Sequence, residues 1–137
     1  MADEVKEVVE GDGYAVANVD GLGEGPGFRK VRRELGVTAF GVNAIELPAG
    51  YETGRHFHDE QEELYFVHRG RIEITLNDTT HVLGPGGLAR VDAGTVRKIK
   101  NVGEEPCLYV VAGGKDGYVG RDGRQPEGET SRVGPSQ

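Results

Sequence analysis

Two histidines and a glutamate lie close together near the middle of this 137-residue chain. His56 and His58 are two positions apart, so in an extended strand both imidazoles project from the same face. Glu63 follows a short acidic turn, and we expect a hairpin in register to bring its carboxylate beside the two rings. Two neutral imidazoles and one carboxylate form a ligand set for a divalent transition metal, with positions left open for water or substrate. The ligand types suit iron, manganese, nickel or zinc.

The spacing of these residues leaves a second interpretation open. The two histidines can share a strand by chance, and Glu63 can belong to a solvated acidic run, Asp59–Glu63. Glycines placed on either side of the group, at Gly50 and Gly70, favour the metal-site interpretation.

The stretch from Gly50 to Gly70 resembles the first sequence motif of the cupin superfamily, G-x5-H-x-H-x4-E-x6-G. Every fixed position of that motif is filled, by Gly50, His56, His58, Glu63 and Gly70. The second cupin motif, G-x5-P-x-G-x2-H-x3-N, is matched in part, at Gly86, Gly94 and Asn101. Asp92 stands where proline is usual, and Arg97 stands where that motif supplies a fourth metal ligand, a histidine.

The resemblance covers roughly residues 37–112. It implies an all-β fold, the antiparallel double-stranded β-helix or jelly-roll barrel. It also implies a metal near the centre of the barrel, held by His56, His58 and Glu63, and a homodimer.

Arg97 and Tyr65 are the candidate substrate-binding residues. Strand parity points Arg97 inward together with Ile99, and a guanidinium keeps its proton and so cannot ligate a metal. Either the site is metal-free and Arg97 pairs with Glu63, or a metal is bound and Arg97 is set back to hold a substrate carboxylate in its bidentate fork. The two aligned histidines favour the metal-bound arrangement. Tyr65 shares the face of Glu63, so it either lines the pocket or packs as a core aromatic.

Short strands must position these residues. Glycine accounts for 23 of the 137 residues, which indicates many tight turns. Lys30–Leu35 predicts at most one helical turn. The strands, spaced as in a sandwich or barrel, are predicted at Tyr14–Val19, Val37–Leu47, Arg55–Phe57, Glu63–His68, Arg71–Leu76, Thr80–Leu83, Leu88–Val91, Arg97–Lys100 and Cys107–Ala112.

Three regions follow from this pattern. Residues 1–36 are predicted as an N-terminal strand and flexible loop, residues 37–115 as the barrel, and residues 116–137 as a flexible tail. Glycine, proline and charged residues dominate that tail, with little to bury.

Composition excludes several classes of function. The formal net charge of −7 argues against nucleic-acid binding, which needs a basic surface. The single cysteine, Cys107, excludes a disulfide framework and a cysteine-based zinc site. No apolar run is long enough to cross a membrane. The acidic start of the chain lacks a signal peptide, so we expect a cytoplasmic protein.

We therefore expect a small metal-binding cupin that acts on a small anionic organic molecule by oxygenase-type or isomerase-type chemistry. The alternative is a metal-free small-molecule-binding or structural cupin with an internal Arg97–Glu63 pair. The sequence does not assign catalytic residues or decide between an enzyme and a binding module. His68 and His81 are expected to lie outside the site.

Overall fold

The fold is almost entirely built from β-strands, as the sequence predicts. The structure, a computed structural model, describes residues 2–127 and, for the backbone alone, 134–135. One short helix, α1 (Val31–Leu35), and one 3-10 turn (Val19–Gly21) interrupt the strands. The strands are β1 (Val9–Gly11), β2 (Tyr14–Val16), β3 (Gly27–Arg29), β4 (Gly41–Leu47), β5 (Tyr51–Glu52), β6 (Phe57–His58), β7 (Glu62–Arg69), β8 (Ile72–Leu76), β9 (Thr79–Leu83), β10 (Leu88–Val91), β11 (Arg97–Asn101), β12 (Cys107–Gly114), β13 (Gly123–Arg124) and β14 (Gly134–Pro135).

Two five-stranded antiparallel sheets form the barrel. Sheet I has the strand order β10-β7-β12-β4-β3, and sheet II has the order β14-β5-β11-β8-β9. Neighbouring strands within each sheet are often far apart in sequence, as expected for a jelly roll. Two small two-stranded sheets, β1-β2 and β6-β13, complete the described chain.

The hydrophobic core lies between the inner faces of the two sheets. Strand β11 shows the alternation that builds it, because Arg97, Ile99 and Asn101 are buried while the two lysines between them are not. Burial of an isoleucine of this kind stabilises the fold by about 1.5–3 kcal/mol. The buried apolar residues that pack into one core cluster are Leu47, Tyr65, Val67, Ile72, Ile74, Val91, Ile99, Cys107 and Tyr109.

The buried side chain of Asn101 connects the end of β4 with the loop that follows β11. Its side-chain amide donates hydrogen bonds to the carbonyls of Leu47 and Glu105, each at 2.9 Å, and its amide oxygen accepts one from the N–H of Gly103. All of its buried polar atoms are thereby satisfied, which a fully buried amide requires.

Two N-terminal segments differ from their sequence-based boundaries. The strand predicted from Tyr14 is short and pairs with β1 in a separate hairpin. The strand predicted from Val37 begins at Gly41, after the helix. None of the helices in the described residues is long and apolar enough to span a membrane.

The segment predicted as a flexible tail contacts the barrel in its described part. β13 pairs antiparallel with β6, so Gly123 lies opposite His58 and Arg124 opposite Phe57. The composition of this segment gave no indication of that pairing. Residues 128–133 and 136–137 lie outside the described residues.

The turn between β7 and β8 depends on a glycine for two reasons. Gly70 has a φ of +88°, and an added Cβ would lie 2.6 Å from the Cβ of Cys107. Gly86 has almost the same φ, +87°, but an added Cβ there would meet nothing within 4 Å. An alanine at Gly86 would therefore introduce backbone strain alone, whereas an alanine at Gly70 would add a steric conflict.

We expect Gly70→Ala to lower the free energy of unfolding by about 2–4 kcal/mol, and Gly86→Ala by about 1–2 kcal/mol. In both variants an alanine must adopt the left-handed backbone conformation, which is unfavourable, but only Gly70→Ala adds a collision with the packed core. Urea denaturation followed by circular dichroism measures both values. Equal losses in the two variants would contradict this account of Gly70.

Candidate metal centre

Strand β11 and the loop before it position the two histidines. His56 and Arg97 exchange backbone hydrogen bonds of 3.0 and 2.8 Å, which fixes the start of the histidine segment against β11. The N–H of His58 donates to the carbonyl of Ala93 at 2.8 Å. Both imidazoles then point into one cavity, with ring centroids 5.2 Å apart and planes nearly perpendicular.

Sheet I supplies the glutamate. Glu63 lies on β7, where its backbone neighbours are Val91 on one side and Gly113 on the other. The expected hairpin pairing between the histidine strand and the Glu63 strand does not occur in the described residues. Instead, the ligand atoms of His56, His58 and Glu63 come within 4.8 Å of one another because the histidine segment, held against β11 and the loop before it, lies opposite β7.

Three polar groups converge on one oxygen of Glu63. The Tyr65 hydroxyl donates a hydrogen bond to Oε1 at 2.7 Å, His58 Nε2 lies 3.2 Å from the same atom, and Arg97 Nε lies 3.9 Å away. The side chain of Glu63 is only 11% exposed. Burial alone would raise the pKa of this carboxyl, but His58, Tyr65 and Arg97 together lower it. Glu63 is therefore a carboxylate, as ligation requires.

The two histidines have opposite pKa shifts. Burial and the nearby Arg97 guanidinium lower the pKa of His56, so its imidazole is neutral at pH 7. Burial would also lower the pKa of His58, but the carboxylates of Glu63 and Asp122 outweigh that effect and raise it. His58 thus lies between two negative charges.

Arg97 is fully buried, at 0% exposure. Its two terminal nitrogens donate to the backbone carbonyls of Ala93 and Asp92 at 3.2 and 3.1 Å. The fork expected to hold a substrate carboxylate is thus engaged with the backbone, and only Nε faces Glu63. Contact between Arg97 and a substrate stays a prediction.

His68 and His81 are exposed, whereas Tyr65 lines the cavity. Its hydroxyl is occupied by Glu63, and burial together with that negative charge raises the pKa of Tyr65 well above its usual range. Tyr65 therefore keeps its proton and acts as a donor. Its role in substrate binding also stays a prediction.

Comparison with known proteins places the fold in a family. A family model described as "Cupin domain" matches residues 43–113, just over half of the chain. The chain belongs to the cupin family. Comparison with curated proteins finds no match to it.

Solved structures of other cupins are similar to this one. A cupin protein from Bacteroides fragilis has a TM-score of 0.65 at 23% identity, covering 87% of this chain and 92% of its own. The cupin domain of Schizosaccharomyces pombe Cnp3 has a TM-score of 0.54 at 27% identity, covering 56% of each chain. A cupin-superfamily sugar phosphate isomerase from Silicibacter pomeroyi has a TM-score of 0.54 at 30% identity, covering 58% of this chain and 53% of its own. This cupin thus spans little more than half the length of the last two proteins.

The donor set of this cupin fits a metal ion. His58 Nε2 is buried and, in the part of the chain that the structure describes, has no well-aligned hydrogen-bond partner despite its closeness to Glu63. An unpaired nitrogen of this kind is costly unless something binds it. His56 is neutral and Glu63 ionised, so these two side chains present donor atoms that iron, manganese, nickel or zinc prefers. The pKa of His58 is raised by its two carboxylate neighbours, so a metal would have to displace the proton of Nε2 to bind there.

Asp122 is a further polar residue at this site. Its carboxylate contacts Nδ1 of His58 at 2.8 Å from a position 64 residues along the chain. Hydrogen bonds from Gln61 and Glu60 and the contact with His58 hold the pKa of Asp122 well below its usual range, although burial opposes this. Sequence reasoning missed Asp122, because an acid in a polar tail carries no signal of what it contacts.

We expect Arg97→Ala to lower the free energy of unfolding by about 3 kcal/mol. The change leaves the carbonyls of Asp92 and Ala93 without their donor and deprives buried Glu63 of a positive neighbour. Lys98→Ala is the control, because Lys98 is 35% exposed and lies 3.5 Å from Glu52. Lys98→Ala should lower the free energy of unfolding by less than about 1 kcal/mol. Urea unfolding of both variants without metal gives the two values, and an Arg97→Ala loss no larger than that of Lys98→Ala would refute the assigned role.

Proposed function

We propose that this cupin binds one divalent transition metal through His56, His58 and Glu63, and acts on a small anionic organic molecule in the cavity above the metal. One observation carries the proposal. Three donors, one on β7 and two in the histidine segment beside β11, converge in the barrel, and one of them, His58 Nε2, is buried without an aligned partner among the described residues. All three donors line one cavity of about 850 Å³.

The charge around the cavity supports an anionic ligand. Among the described residues that line it, Glu63 is the one acid, whereas five lining residues are basic, namely Lys30, Arg32, Arg33, Arg121 and Arg124. This distribution is the reverse of that in the whole chain, whose formal charge is −7. A basic cavity attracts anions and raises their local concentration.

Four of the five basic residues are exposed and form a solvent-facing rim of the cavity, whereas Arg32 is half-buried. The guanidinium of Arg32 is stacked on the ring of Tyr118, 4.1 Å from its centroid, and that contact limits its motion. A ligand that fits this cavity would have one end at the metal, beside the histidines, and the other end at the rim. Its negative group must lie at the rim end to contact the basic residues. The structurally similar Silicibacter pomeroyi protein is described as a sugar phosphate isomerase, and a sugar phosphate has that character.

The residues of the site have separate tasks in this proposal. A bound metal would supply Lewis acidity or electron transfer, which suits isomerisation or oxygen-dependent chemistry. Arg32 and Arg121 bind and orient the anionic group. Arg33 and Arg124 are already paired, with Glu34 and Asp59 respectively. Tyr65 holds a proton on the oxygen that contacts Glu63 and keeps that carboxylate in one orientation. Buried Arg97 stabilises the loop that follows β10 by donating hydrogen bonds to the carbonyls of Asp92 and Ala93.

A metal-free binding protein is the second candidate. It is favoured by Arg97, whose fixed positive charge replaces the usual fourth histidine and lies 3.9 Å from Glu63. That separation is too long for a hydrogen bond, so Glu63 remains available to a metal. Metal content distinguishes the two candidates.

The predicted homodimer also stays a prediction. Leu64, Phe66 and Leu88 are exposed on the outer side of sheet I, at 46%, 39% and 59%. Val9, Tyr14 and Val16 are exposed on the N-terminal hairpin. Either group offers apolar area that a second copy can bury.

Untagged protein reconstituted separately with iron(II), manganese(II), nickel(II) or zinc(II) should take up one ion per chain for at least one of the four metals. Replacing either cavity histidine, in His56→Ala or His58→Ala, should remove that ion because two ligands hold it too weakly. His68→Ala and His81→Ala are the matched controls and should retain it. Elemental analysis after gel filtration measures the occupancy.

Full occupancy in a His56→Ala, His58→Ala double variant would place the metal elsewhere. Absence of uptake for all four metals in the wild type would instead support the metal-free candidate. In that case, small anions should still bind the cavity, and their binding should weaken with added salt.

A further inference from the structure

Residues 118–125, which we call the C-terminal strap, form one wall of the cavity. Their lining members include Tyr118, Arg121 and Gly123. The strap is held by the β13–β6 pairing and by Arg124, whose Nε contacts both carboxylate oxygens of Asp59. Its backbone packs closely on a metal-ligand candidate, because a Cβ added at Gly123 would lie 3.4 Å from His58 Cε1.

Asp122 is the point at which the strap meets the site. One carboxylate oxygen contacts His58 Nδ1 at 2.8 Å and accepts a hydrogen bond from Gln61 Nε2 at 2.5 Å. The other accepts from the backbone N–H groups of Glu60 and Gln61 at 2.8 and 3.0 Å. The Asp122 side chain is only 8% exposed. The metal-ligating segment and the strap are thus joined through one buried carboxylate.

We propose that the strap is a latch on the metal centre, in which Asp122 holds His58 in the ligating tautomer and docking of the strap and binding of the metal strengthen each other. This inference rests on the proposed function. A carboxylate can only accept, so Asp122 keeps a proton on the His58 nitrogen that faces it, Nδ1. Nε2 faces the Glu63 carboxylate, and a metal bound there would replace the proton on Nε2 while Asp122 retains the one on Nδ1.

The coupling is reciprocal for thermodynamic reasons. If a docked strap raises metal affinity by some factor, bound metal must favour docking by the same factor. The cavity wall and the metal site are therefore completed together. A strap that detaches both opens the cavity and frees the His58 ring.

Asp122→Asn tests the latch with almost no change of shape. All four partners of Asp122 present donors, so the amide NH₂ of asparagine must face either the His58–Gln61 pair or the two backbone N–H groups. We expect the metal dissociation constant to rise about 10–100-fold, the usual effect of removing the outer partner of a ligating histidine. Asp116→Asn is the matched control, because it makes the same charge change at an exposed position just before the strap. It should change affinity less than twofold. Isothermal titration with the metal alone measures both.

The strap also carries its own reporters, Arg121 and Arg124, which are exposed trypsin sites. In the wild type, saturating metal should slow cleavage at these two bonds at least fivefold, because cleavage tracks the detached population. Cleavage after Lys6, in the N-terminal segment, should not change. Mass spectrometry of the timed digest separates the sites, and this measurement needs no variant to fold.

The possible results are distinct. Weaker metal binding in Asp122→Asn together with metal-dependent protection of the strap supports the latch. If Asp122→Asn does not fold, the wild-type digest decides alone. Wild-type metal binding with neither effect overturns the latch and leaves the proposed function standing. A wild type that binds no metal overturns both.

Discussion

The ionised state of one buried carboxylate, Glu63, underlies the arrangement of the whole site. A charge taken out of water is costly unless other groups compensate for it. Here a tyrosine hydroxyl, an imidazole and a guanidinium lie around the same oxygen atom, at 2.7, 3.2 and 3.9 Å. Together they lower the pKa of the carboxyl against the effect of burial. The jelly roll makes this possible by bringing β7 of sheet I opposite the histidine segment that is held against β11 of sheet II.

Arg97 shows how this cupin departs from the pattern of its family. A histidine at this position is neutral and ligates, whereas an arginine is always charged. Burial of that charge is compensated by two backbone carbonyls and by the proximity of Glu63. Burial lowers the pKa of His56 and the same arginine lowers it further, so that one ligand candidate is unprotonated at neutral pH. Arg97 therefore stabilises the carbonyls of Asp92 and Ala93, a structural role that a metal-ligating histidine would not fulfil.

Local patterns were sufficient to predict much of this. Alternation placed Arg97 and Ile99 on the inner face, and the spacing of His56 and His58 placed both rings together. Glycine frames and turn residues indicated the barrel. The route by which Glu63 reaches the histidines was predicted incorrectly, because pairing across a barrel depends on strand order rather than on neighbouring sequence. Asp122 could not be predicted, because its four contacts depend on where a polar segment returns to the barrel.

The central claim is that His56, His58 and Glu63 hold one metal ion with Arg97 beside them. Crystals of protein loaded with a single metal, measured on both sides of its absorption edge, test this most directly. We expect one anomalous peak per chain, at about 2.0–2.2 Å from His58 Nε2, from a His56 nitrogen and from a Glu63 oxygen. An absence of any peak there, with Arg97 Nε hydrogen-bonded to Glu63 in its place, would contradict the claim.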